Sequence, residues 1–162
     1  MINFNRKLIS LCLKLDLTIS VAESCTGGLI ASKLVTVPGA SKVFNVGLIT
    51  YSNQSKNYYL KIPFNIIKKY GAVSQQTARH MVKGLSYKNN SDIFMGVTGI
   101  AGPSSDMSDK PVGLVFHSFL FRKNKKIHVV KQNYTGTRQN IRNSAALYSI
   151  YHSYNILNHL YK

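Results

Sequence analysis

The chain has 162 residues, 44% of them hydrophobic and 16% charged. That is one domain's worth of chain with enough apolar side chains for a core, which excludes a disordered or fibrous protein. Lys and Arg total 21 against 5 acidic residues, a formal charge of +16. The two cysteines, Cys12 and Cys25, are too few for a disulfide framework.

The charge admits two readings. A basic domain attracts phosphate-bearing partners. The cations are scattered, however, and the chain is rich in Lys, Asn, Ile and Tyr, the residues of AT-rich codons. The excess therefore reads mainly as compositional drift that leaves a field useful to an anionic ligand. No motif or basic–aromatic stripe predicts specific nucleic-acid binding. No apolar run approaches the roughly 20 residues of a membrane helix; the best, Val112 to Phe121, is short and carries His117. Lys14 and Asp16 interrupt the apolar run after Arg6 and Lys7, so the N-terminus does not read as a signal peptide. A cytoplasmic single domain over residues 1–162 is the expectation.

Phe4 to Leu15 carries a helical apolar stripe at Leu8, Ile9, Leu11, Cys12 and Leu15. Thr18 to Ala22 is β-prone and is broken by Glu23 to Gly28. Leu29 to Val35 then reads as a helix stopping before Pro38-Gly39. Val43 to Tyr51 is strand-like, and Ser52 caps a short helix to Leu60. Pro63 to Tyr70 predicts another helix, ended by Gly71, and Ser74 caps a helix to about Leu85. Asp92 to Thr98 is a buried strand followed by a loop from Gly99 to Lys110. Val112 to Phe121 and Lys126 to Tyr134 form two strands about a basic turn, and Thr137 to Leu160 is a long last helix. Early strand–helix alternation and two late adjacent strands predict an α/β fold: a three-layer α/β/α sandwich whose mostly parallel sheet gains a late antiparallel hairpin.

Three segments could carry chemistry. In Glu23-Ser24-Cys25-Thr26-Gly27-Gly28 a strand gives way to a helix across two glycines. Such a turn presents a side chain at the carboxyl end of a strand, facing helix amides. Ser24 could be a nucleophile whose oxyanion those amides hold; the plainer reading is that Ser24 or Thr26 caps the helix. Cys25 is a rival nucleophile or, more simply, a small buried thiol. The spacing is neither G-x-S-x-G nor a P-loop. In the second segment Tyr51 and Lys56 stand five residues apart where a strand meets a helix. Either could take a serine's proton, the lysine if burial lowers its pKa; otherwise Lys56 is a solvated turn residue. In the third, Val97-Thr98-Gly99-Ile100-Ala101-Gly102-Pro103, a strand runs into small residues that let backbone amides approach an anion. The five histidines show no zinc-like spacing, and with so few acids paired carboxylates are not expected.

Taken in order, AESCTGG, VPGAS, YSN-x-x-K, GAVS, VTGIAGP and KPVG resemble the CinA C-terminal family, strongly over Leu17 to Phe116 and more loosely over Gly136 to Arg142. The resemblance implies an α/β/α fold, a homodimer or higher homo-oligomer, no metal and no cofactor. It also implies a nicotinamide-nucleotide amidase, which converts nicotinamide mononucleotide and water to nicotinic acid mononucleotide and ammonia. An inactive nucleotide-binding or regulatory module of the same fold is the alternative. By motif, Ser24 would be the nucleophile, with Lys56 as base and Tyr51 as relay or oxyanion partner, or with those two roles exchanged. Cys25, Thr26, Gly27, Gly28, Thr98, Gly99, Ile100, Ala101 and Gly102 would line the substrate site. Arg138, in the late G-x-R segment, would pair with the substrate phosphate. The sequence departs from the family where Ser104 to Asp109 replaces a glycine-rich loop, where Gln75 follows GAVS, and where Thr137 stands for an Asp.

Overall fold

The computed structural model describes residues 3–105 and 109–162. Five strands, β1 (Ile19–Glu23), β2 (Phe44–Ile49), β3 (Ile93–Gly99), β4 (Leu114–Phe121) and β5 (Ile127–Asn133), form one sheet in the order β2-β1-β3-β4-β5. β1 runs parallel to both β2 and β3, whereas β4 is antiparallel to β3 and to β5. Four of the five strands therefore point one way and β4 opposes them. β1 is buried throughout and β3 up to its last residue, as expected of central parallel strands covered on both faces.

Alternation along these strands sorts the core into two layers. Ile19, Val21, Ile93, Met95 and Val97 face helices α1 (Phe4–Leu15), α2 (Leu29–Val35) and α6 (Arg138–Leu160). Ala22 and Phe94 face the other way, toward α3 (Asn53–Leu60), α4 (Phe64–Tyr70) and α5 (Gln75–Ser86). The three-layer sandwich is thus present, with its antiparallel hairpin at the β4–β5 side. A 3₁₀ turn at Ala40–Lys42, preceding β2, adds to the expected elements.

The caps follow local chemistry. Ser52, Ser74 and Thr137 each accept a backbone N–H at the start of α3, α5 and α6. Thr137 therefore does the capping work that an Asp would do there. Gly84 explains how α3 is seated: a Cβ there would lie 1.9 Å from the Leu60 carbonyl oxygen, so α5 meets the end of α3 backbone to backbone. Lys56 and Leu60, one turn apart, are the two buried residues of α3 and form its inward stripe. No helix among the described residues is long and apolar enough to cross a membrane.

Candidate active site

The parallel arrangement of β1, β2 and β3 brings their carboxyl ends together, where a fold of this kind leaves a crevice. Ser24 follows β1, and its N–H donates to the Val97 carbonyl at 3.0 Å. Thr50 follows β2, and its N–H donates to the Glu23 carbonyl at 2.8 Å. A cleft of about 510 Å³ opens at this edge. It is bounded by Ser24 and Cys25, by Tyr51, Asn53 and Lys56, by the loop after β3, and by Arg138 of α6.

Glu23 organises the turn. It occupies the same face of β1 as Val21, which is the face that packs on α2. Its carboxylate accepts the N–H groups of Gly28 at 2.9 Å, Ile30 at 3.2 Å and Ala31 at 2.9 Å. A fully buried carboxylate thus satisfies most of the first-turn donors of α2. Gly27 N–H donates to the Ser24 carbonyl at 3.0 Å. Gly27 and Gly28 both have positive φ, 58° and 94°, which lets the chain turn this tightly. The expectation that Ser24 or Thr26 caps this helix is corrected: Glu23 does so, and the Thr26 hydroxyl has no partner among the described residues.

The Gly27 and Gly28 amides are therefore spent inside the turn, and neither glycine, nor Thr26, lines the cleft. Within this turn the Cys25 and Thr26 N–H groups meet no backbone oxygen among the described residues. Of these two, the Cys25 N–H belongs to a residue that lines the cleft, whereas Thr26 is wholly buried.

Lys56 is 1% exposed, so it is not a solvated turn lysine. Its Nζ donates to Ser24 Oγ at 3.0 Å, to the Thr50 carbonyl at 2.8 Å and to the Tyr51 carbonyl at 3.1 Å. No carboxylate meets the amine among the described residues. Burial lowers its pKa from 10.5 to about 8, against a smaller opposing influence from Cys25. When the amine is neutral, the two carbonyls can take its two N–H groups and leave the lone pair for the Ser24 hydroxyl. Cys25 goes the other way: burial pushes its thiol up to about 12, which removes the thiolate a cysteine nucleophile needs.

Tyr51 contributes in two separate places. Its carbonyl holds Lys56, but its side chain is 59% exposed and its hydroxyl accepts from Arg138 Nη2 at 2.9 Å. Arg138 also donates to the Gly102 carbonyl. The pair closes one side of the cleft and is not hydrogen-bonded to Ser24. Thr98, Gly99, Ile100, Ala101 and Gly102 also line the cleft, as do Ser104 and Ser105. Thr98 Oγ1 donates to the Ala72 carbonyl at 2.9 Å and so ties this segment to GAVS. Of the altered loop, Ser104, Ser105 and Asp109 are described and Asp106 to Ser108 lie outside the described residues.

Among the residues at the site that were not sequence candidates, Asn53 and Arg142 bear on the chemistry. Asn53 lines the cleft from the first turn of α3; its place three before Lys56 on a capped helix was the available signal. Arg142 donates from Nε to the Cys25 carbonyl at 3.1 Å and from Nη2 to the Thr26 carbonyl at 2.9 Å. It stands one helical turn after Arg138, which is the signal that could have found it. Among the described residues no group of three His, Cys, Asp or Glu side chains could hold a metal ion.

Fold and cleft define a class: an α/β/α protein with a buried serine–lysine pair at the carboxyl ends of its parallel strands. The chain belongs to the CinA C-terminal domain family, whose pattern matches residues 2–157. It is 46% identical over 143 residues to a CinA-like protein of Kosmotoga olearia, covering 88% of this chain and 34% of that one. A CinA-like protein of Petrotoga mobilis is 43% identical over 144 residues, covering 89% and 35%. The chain thus spans about a third of the length of these relatives. The crystal structure of the competence/damage inducible protein CihA of Agrobacterium tumefaciens superposes with a TM-score of 0.90 at 36% identity, covering 96% of this chain and 93% of that one. A Klebsiella pneumoniae competence damage-inducible protein A shares the fold, with a TM-score of 0.93 at 23% identity and 96% coverage of each chain.

Proposed function

We propose that the protein hydrolyses the carboxamide of nicotinamide mononucleotide, with Ser24 as nucleophile and Lys56 as its base. The observation that carries this reading is the 3.0 Å contact, in the lining of the cleft, between Ser24 Oγ and a buried Lys56 Nζ that meets no carboxylate among the described residues. A lysine serves as base only when it is neutral near working pH, and burial has moved this one to about 8.

The steps follow from that geometry. Neutral Lys56 takes the Ser24 proton as Oγ attacks the amide carbon. The resulting oxyanion takes the Cys25 N–H as a donor at the cleft wall. Collapse breaks the C–N bond, and Lys56 returns its proton to the departing ammonia, leaving an acyl ester on Ser24. Water then attacks the ester and gives a proton to Lys56. That proton returns to Ser24 Oγ as the C–O bond breaks and the acid leaves. Across the cleft, Arg138 supplies a charge-assisted donor for the phosphate, with Tyr51 orienting its guanidinium. The +16 charge favours encounter with an anionic mononucleotide.

The test is ammonia release from nicotinamide mononucleotide by the purified chain over about pH 6 to 9, the range in which such a lysine changes state. Equimolar ammonia and nicotinic acid mononucleotide are expected. Binding of the nucleotide without product would overturn the reading.

A further inference from the structure

A second cleft, of about 590 Å³, opens on the α5 side of the sheet, and none of its lining residues lines the one at Ser24. Strand register builds its floor. Phe94 of β3 pairs with Leu120 of β4, and Leu120 with Ile127 of β5, so three apolar side chains form one row across neighbouring strands. Helical spacing supplies a wall: Arg79, Lys83 and Tyr87 follow one another at intervals of four along α5 and its C-cap. The turn from β4 to β5 supplies Arg122 and Lys125. Phe94 stands four residues before Thr98 on β3, which separates the two clefts by about 13 Å along that strand.

Four cationic side chains therefore surround an apolar row, and no Asp or Glu among the described residues lines the cleft. Arg79, Lys83 and Lys125 are exposed and form no ion pair or side-chain hydrogen bond among the described residues. Arg122 is held in place. Its Nε donates to the Ser91 carbonyl at 2.8 Å and its Nη2 to the Asn89 carbonyl at 3.1 Å, and the guanidinium lies 5.5 Å from the centroid of the Phe94 ring. Nη1 donates to nothing among the described residues, so a fixed cation keeps two N–H groups for a ligand. Drift toward AT-rich codons accounts for scattered lysines, yet two of the chain's five arginines converge here. Phe94 is buried under Arg122, whereas Leu120 and Ile127 are half-buried and accessible. Tyr87, 74% exposed, offers an aromatic face at the rim.

We propose that this cleft binds a nucleoside di- or triphosphate, with the base against Leu120, Ile127 and Tyr87 and the phosphates on Arg79, Lys83, Arg122 and Lys125. The cavity has the size of a small-ligand site. Like charges gathered without an acid repel one another, and a polyanion relieves that repulsion. Arg122 joins the two halves, since it covers the end of the apolar row and presents its remaining N–H groups in a fork suited to phosphate. An inorganic polyphosphate would leave the apolar row uncovered, and an uncharged ring would leave the cations unpaired. The site does not depend on the reaction at Ser24.

The experiment is calorimetric titration of the full chain, at about 150 mM salt so that exposed charges are screened. The probes are ATP, inorganic triphosphate, adenosine and a single-stranded oligonucleotide. ATP should bind saturably at one site per chain, inorganic triphosphate at least about tenfold more weakly, and adenosine more weakly still. Lys83→Ala and Lys125→Ala alter exposed side chains, so the fold is kept, and each should weaken ATP by about tenfold, the low end for a charged hydrogen bond. Arg122→Ala should weaken it further. Two controls fix the place. Lys42→Ala removes the same charge from the exposed 3₁₀ turn before β2, and Arg138→Ala removes the cation of the other cleft; both should leave ATP affinity unchanged. Any of four results would overturn the proposal: no saturable ATP binding, triphosphate bound as tightly as ATP, the oligonucleotide bound more tightly than ATP, or a loss in either control equal to that in Lys83→Ala.

Discussion

Among the described residues, two buried serines each meet a basic side chain, and the two pairs differ in everything except the hydrogen bond. Ser24 and Lys56 meet at 3.0 Å at the end of the parallel strands, beside a cleft of about 510 Å³. Ser149 of α6 and His117 of β4 meet at 2.9 Å, both buried and neither lining the cleft that Ser24 lines. Ser149 donates to the Ala145 carbonyl, and the Tyr134 hydroxyl lies 3.0 Å from the other nitrogen of His117. The network is fully satisfied when His117 carries its proton on Nδ1 and Tyr134 donates to Nε2. Burial holds His117 down at about 3, far from the range of a useful base, whereas it brings Lys56 to about 8. Desolvation disfavours the charged form in both, yet it disables a histidine and enables a lysine. A short serine–base distance is therefore not a site; access and the resulting pKa decide.

The largest effect that would break this contrast is expected at the open pair. Ser24→Ala and Lys56→Ala should each lower kcat for ammonia release by at least about a thousandfold while the fold, followed by circular dichroism, is kept. Next comes the substrate anchor. Arg138→Ala should raise KM by about tenfold to a hundredfold, the worth of a charged hydrogen bond, with a smaller change in kcat. A pH profile sharpens the comparison further: kcat/KM should rise with pH and level off above about 8, as Lys56 becomes neutral. An inflection near 6.5 instead would name a histidine.

The smallest effects belong to the sealed pair. Ser149→Ala should leave kcat/KM unchanged and cost about 1 to 2 kcal/mol of stability, a fall in Tm of about 3 to 6 °C for a chain of this size. His117 has a folded pKa below its ordinary 6.5. The folded state therefore binds fewer protons than the unfolded one, and the stability it contributes above about 6.5 is lost as pH falls toward 3. Thermal melts between pH 7 and 4 should steepen that loss in wild type relative to His117→Gln.

Much of the layout was legible in the sequence because it rests on local signals. Alternation and caps point to β1 to β5 and α1 to α6 within a residue or two, with Ser52 and Ser74 at two of the helix starts. Ser24, Tyr51, Lys56 and Arg138 were singled out from short motifs, and the fold brings all four to one cleft. What the motifs did not carry was the direction of each group. Nothing local says that Glu23 reaches over the turn to α2 and uses up the Gly28 amide, or that Tyr51 offers Lys56 its carbonyl and Arg138 its hydroxyl. The spacing from Arg138 marks Arg142 as a candidate, but not its partner, since it contacts Cys25 across 117 positions of chain. The 3₁₀ turn at Ala40–Lys42 is too short for periodicity to register.

The contrast between the open and sealed pairs is tested most directly by labelling the wild-type chain with a fluorophosphonate and mapping the modified serine by peptide mass. The account predicts a single adduct on the peptide containing Ser24, suppressed by excess nicotinamide mononucleotide, and none on Ser149. No adduct at Ser24, or one that the nucleotide does not protect against, would contradict it.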